Sequence, residues 1–88
     1  MSSELRQKML ADLRIRNYAE RTQEIYIGRV AEAARHFKRS PEGLTTEEVR
    51  GYLRYLKEDR QVSRSAFAQV IGALRFLYRV TCSGPSGT

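Results

Sequence analysis

The chain has 88 residues, one cysteine and a formal net charge of +6. That length supports a single small domain with a modest core, and the lone thiol excludes an internal disulfide and a cysteine-built zinc centre while suiting a reducing compartment. No apolar run is long enough to cross a bilayer and no signal-peptide pattern opens the chain, so a soluble, cytoplasmic protein is expected.

Leu5, Met9 and Leu13 recur at helical spacing, with Leu10 beside them, and predict a first helix over Ser3–Ile15. Arg16 and Asn17 read as helix-end and turn residues. A second helix is predicted over Glu20–Lys38, with Tyr26, Val30, Ala33, Ala34 and Phe37 as its apolar stripe. Ile25 lies about 100° from Tyr26 around that helix, at the margin of the buried face. Ser40, Pro41 and Gly43 end it. The third helix, Thr46–Arg60, carries the strongest local signal. Thr45 is its N-cap, Glu48 completes a capping box, and Leu44 can staple onto Val49. Val49, Tyr52, Leu53 and Leu56 form its stripe. The fourth helix is predicted over Arg64–Thr81, with Ser63 as N-cap. Its wide stripe is Phe67, Val70, Ile71, Leu74, Leu77 and Tyr78, and the small Gly72 and Ala73 permit close helix approach. Residues 82–88 have linker composition. No segment has strand periodicity, so the expected fold is an all-α four-helix bundle over residues 1–81 with a short tail.

Charge is distributed unevenly among these helices. Residues 14–39 carry seven basic groups against three acidic ones, and residues 61–88 carry Arg64, Arg75 and Arg79 with no acid. Residues 1–13 are balanced, and residues 40–60 carry four basic groups against five acidic ones. The excess therefore belongs to the second and fourth helical segments. Thirteen of the sixteen basic residues are arginine, whose planar fork suits phosphate. Two such helices side by side would form a basic face for a nucleic-acid backbone.

The stretches LRIRNYAERTQEIYIGRVAEAARHF, SPEGLTTEEVRGYLRYL and SRSAFAQVIGALRFLYR, in that order, resemble the N-terminal core-binding domain of the tyrosine recombinases, the phage-type and integron-type integrases. The resemblance covers about residues 5–80. It implies a SAM-like orthogonal four-helix bundle forming half of a C-shaped clamp on duplex DNA. The other half would be a separate catalytic domain with an arginine–histidine–arginine constellation and a nucleophilic tyrosine. Strand exchange would pass through a 3′-phosphotyrosine with no cofactor and no metal, and oligomers would form on DNA. A bacterial or phage-encoded, nucleoid-associated protein is implied. In such domains the second and fourth helices face the major groove, the two segments that hold the charge excess here.

Candidate DNA-binding residues follow. Arg21 and Thr22 occupy the first turn of the second helix, where side chains and free amides can meet a phosphate. By the resemblance, Ile25, Gly28 and Arg29 approach the groove, with Ile25 able to touch a thymine methyl. Arg64, Ser65 and Gln69 take the equivalent approach on the fourth helix, and Gln69 could pair with adenine. Arg75 and Arg79 would neutralise phosphates. Each has a plainer reading. Thr22 can bond its own backbone, Arg29 can pair with Glu32 or Glu24, and Arg35, Lys38 and Arg39 suit an exposed helix end. Tyr26, Tyr52 and Tyr78 fall on core stripes, Tyr18 can cover the loop, and Tyr55 lies off the stripe. His36-Phe37-Lys38-Arg39 spells the His-x-x-Arg pattern of the catalytic domain, but it stands in the wrong domain and is set aside. His36 has no second ligand nearby for a metal. Two further readings stay open: a helix-turn-helix regulator and a helical protein-interaction domain.

Overall fold

Three of the four helices start at short polar residues or alanine in extended conformation, and two of those starts are closed by side chains. In the computed structural model, which describes residues 3–81, Thr45 Oγ1 accepts from the Glu48 amide at 3.1 Å and Glu48 Oε1 accepts from the Thr45 amide at 2.9 Å. Ser63 Oγ accepts from the Ala66 amide at 3.1 Å. The Thr45 amide, first among several causes, holds the Glu48 carboxyl below the usual carboxylate range, and the Arg39 guanidinium adds to the effect. Ala19, the residue before the second helix, offers no side-chain cap.

The elements are α1 (Ser3–Ile15), α2 (Glu20–Phe37), a 3₁₀ turn (Pro41–Gly43), α3 (Thr46–Glu58), α4 (Arg64–Phe76) and a π-helical turn (Leu77–Thr81). No strand occurs among the described residues, and the fold is all-α. No helix there is long and apolar enough to cross a membrane. The expected tail, Cys82 to Thr88, lies outside the described residues.

The helix starts and the end of α1 agree with expectation, and the ends of α2, α3 and α4 are corrected. α2 stops at Phe37 because Lys38 turns left-handed, with its amide and that of Arg39 both bonding the Ala34 carbonyl. α3 stops at Glu58 rather than Arg60. The Asp59 and Arg60 amides return to the Tyr55 carbonyl, and Gln61 then takes a positive φ of 50°. α4 is α-helical only to Phe76, and its continuation is the π turn.

Two apolar clusters make the core, and both draw on α2 and α4. One joins Leu5, Met9 and Leu13 of α1 to Ile27, Val30, Ala73, Phe76 and Leu77. The other joins Tyr52 and Leu56 of α3 to Ala33, Val70 and Leu74. The α2/α4 pair is thus the middle of the molecule, with α1 and α3 as flanks. Leu77 is wholly buried, so truncating it to alanine would cost about 2–5 kcal/mol. The buried face of α2 is broader than its expected stripe. It includes Ile27 and Gln23, whose amide donates to the Tyr18 carbonyl at 2.8 Å, whereas Tyr26 is only half-buried. Burial of Tyr52 in the second cluster raises its phenol above the ordinary range. The Tyr78 hydroxyl donates to the Pro41 carbonyl at 2.7 Å and ties the π turn to the α2–α3 connection.

Candidate nucleic-acid interface

α2 and α4 run antiparallel. Tyr18, just before α2, stacks edge-on against Phe76 at the end of α4, with ring centroids 5.4 Å apart. Further along α2, Tyr26 lies over Gly72. Further still, Arg29 meets Gln69. Position advances along one helix as it retreats along the other.

The contact between Arg29 and Gln69 sets the geometry of the outer wall. Arg29 Nε and Nη2 donate to Gln69 Oε1 at 3.2 and 2.8 Å, and Nη1 donates to Glu32 at 3.1 Å. Thr22 precedes Arg29 by seven residues, about two turns, and so shares its line on α2. Ile25 lies one turn before Arg29, half-buried at the edge of the same face. Arg21 and Gly28 stand on the next line outward, both exposed. On α4, Ser65 is one turn before Gln69 and exposed, and Gly72 is one turn after it. Thr22 and Arg29 of α2 and Ser65 and Gln69 of α4 thus lie along the seam between the two helices, whereas Gly28 lines a hollow with Arg6 of α1, Ile27, Ala31 and Arg35. Arg64 and Arg75 are exposed, but their helical rotation carries them to the outer margin of the wall rather than its centre. Arg79, exposed in the π turn, lines a pocket with Tyr26 and Gly72.

This geometry bears on several of the plainer readings. Thr22 makes no side-chain hydrogen bond to a described residue, so it is not bonded to its own backbone. Arg29 pairs with Glu32, as its plainer reading held, but it also bridges the helices. Gln69 has its carbonyl oxygen engaged by Arg29. Two-point pairing with adenine needs both the oxygen and the amide nitrogen, so Gln69 would have to exchange Arg29 for the base. Arg39 is bound to Glu48 across the α2–α3 connection, and Lys38 is exposed. A β-carbon added at Gly28 would meet nothing within 4 Å. The surface there is open to close approach.

Sequence reasoning missed the surroundings of His36. Its ring stands 4.8 to 4.9 Å from those of Phe37, Tyr52 and Tyr55, beside a cleft of about 410 Å³ that Arg35 and Arg60 also line. The i, i+3 spacing of Tyr52 and Tyr55 was the available signal, read as one core residue and one stray.

The fold defines a small all-α domain built around the central antiparallel pair of α2 and α4. The sequence pattern of the family described as phage integrase, N-terminal SAM-like domain, matches residues 5–88, and the chain belongs to that family. It is similar to a Sinorhizobium fredii protein named "Putative integrase/recombinase y4qK", with 38% identity over 77 residues. The match takes in 88% of this chain and 25% of that protein, so the chain spans about a quarter of its relative's length. No solved structure gives a significant match.

Proposed function

We infer that this domain grips duplex DNA for a site-specific tyrosine recombinase and positions a separate catalytic domain for strand exchange. By itself it binds DNA and cuts nothing. The observation that carries this reading is the side-by-side packing of α2 and α4, with Arg21 and Arg29 on one and Arg64 and Arg75 on the other. α2 itself carries three basic and three acidic groups, and the excess of residues 14–39 lies at its two ends, on Arg14, Arg16, Lys38 and Arg39. Family membership and the recombinase named above support the same context. Arg21, Thr22 and the uncapped first turn of α2 meet phosphates at one end of the wall. Arg64 and Ser65 do so at the other, while Arg75 and Arg79 stand with Arg21 and Thr22 at the first. Ile25, Gly28 and the Arg29–Gln69 pair lie between and face the groove. The partners are double-stranded DNA and the catalytic domain, with any oligomer forming on DNA.

Duplex affinity measured across a range of salt tests this. Neutralising about four to six phosphates gives a log–log slope of about −4 to −5, and Arg64→Ala or Arg79→Ala should each make it shallower by about one. An affinity indifferent to salt would overturn the reading.

A further inference from the structure

Between the start of α2 and the end of α4 lies a pocket of about 320 Å³, lined by Tyr18, Tyr26, Gly72, Arg75, Phe76 and Arg79. Tyr18, Tyr26 and Phe76 form a mutually packed aromatic floor, with ring centroids 5.4 to 6.4 Å apart. Two arginines rim it, and no carboxylate lines it among the described residues. Tyr26 falls on a core stripe by sequence, yet it is only half-buried. Its hydroxyl makes no hydrogen bond to a described residue. That hydroxyl rests where a side chain at position 72 would begin: a β-carbon on Gly72 would lie 2.7 Å from Tyr26 Oη and 3.2 Å from Cζ. Gly72 thus leaves the room that Oη occupies, at the rim of an acid-free pocket.

We propose that Tyr26 Oη, held over Gly72, joins Arg75 and Arg79 in seating one backbone phosphate of the bound duplex. The phenol donates a neutral hydrogen bond to a phosphate oxygen, the arginines supply the charge, and the apolar floor lies beneath the sugar. This rests on the duplex-binding reading above and adds a residue that packing alone would assign to the interior. Gly72 and Gln69 are one turn apart, so the seat continues the wall toward the start of α2.

The test compares Tyr26→Phe with the unmodified domain on a short mixed-sequence DNA duplex, reading affinity across salt together with Tm. The phenylalanine keeps the ring and removes the donor. Affinity should fall about three- to tenfold, with Tm held and the salt slope unchanged, because a neutral donor releases no counterion. Arg75→Ala should instead make the slope shallower by about one, and the double variant should lose less than the two single losses combined, as expected of groups sharing one phosphate. Gly72→Ala should weaken binding by displacing the hydroxyl, and should cost little more in the Tyr26→Phe background. Unchanged affinity in Tyr26→Phe, or a loss that accompanies a fall of several degrees in Tm, overturns the phosphate seat while leaving duplex binding intact. Failure of the unmodified domain to bind duplex overturns the broader reading instead.

Discussion

Gly28 stands in the middle of an eighteen-residue helix with open space where a side chain would start. A glycine in a helix interior costs about 0.5–1 kcal/mol relative to alanine, and here packing does not require it. The proposed duplex does, because a smooth surface lets a groove edge approach α2 closely. Gly28→Ala should therefore raise stability by about 0.5–1 kcal/mol while weakening duplex binding, as read by thermal melts and titration. Gly51 of α3 has the same open surroundings away from the α2/α4 wall. Its alanine variant should gain stability with binding unchanged. Equal binding in both variants would remove the functional account of Gly28. The pairing of Arg29 with Glu32 is a surface ion pair worth at most about 1 kcal/mol. Its bonds to Gln69 matter more for placing the two side chains than for stability.

At the level of elements, α3 is fastened to the end of α2 through one carboxylate. Glu48 closes the capping box and binds Arg39. Its folded pKa is depressed, so its contribution is complete above the ordinary carboxylate range and is lost as pH falls through the lowered value. Glu48→Gln keeps an acceptor for the Thr45 amide without the charge. The Tm advantage of the native domain over this variant should be present at neutral pH and shrink in acid. A difference independent of pH would contradict the assignment. Helix starts were legible because Thr45, Glu48 and Ser63 act locally. Helix ends were less so, since the left-handed turns at Lys38 and Gln61 fall on residues with no special preference for them. The π turn escaped notice because it still buries Leu77 and Thr81 one turn apart, as an α-helix would. α2 was read with a single stripe. Being packed between α1 and α4, it buries Ile27 toward one neighbour and leans Tyr26 toward the other. Gln23 is buried with its amide donating to the Tyr18 carbonyl.

For the molecule as a whole, the central position of α2 and α4 explains both stability and the proposed grip. Each cluster of the core needs both helices, so their outer faces are held in fixed register while α1 and α3 cover the other sides. The charge count pointed to the segments around these helices, although the excess of residues 14–39 lies at the ends of α2, which itself carries three basic and three acidic groups. It could not identify the contact between Arg29 and Gln69, which joins residues forty apart, nor that Arg64 and Arg75 fall at the margin. The most direct test of the two-helix wall is an NMR titration of the domain with duplex DNA, following every backbone amide. The account predicts that amides from Arg21 to Arg29 and from Ser65 to Arg79 shift together, with the exposed faces of α1 and α3 nearly still. Small shifts scattered over all four helices, or shifts confined to α4 alone, would contradict it.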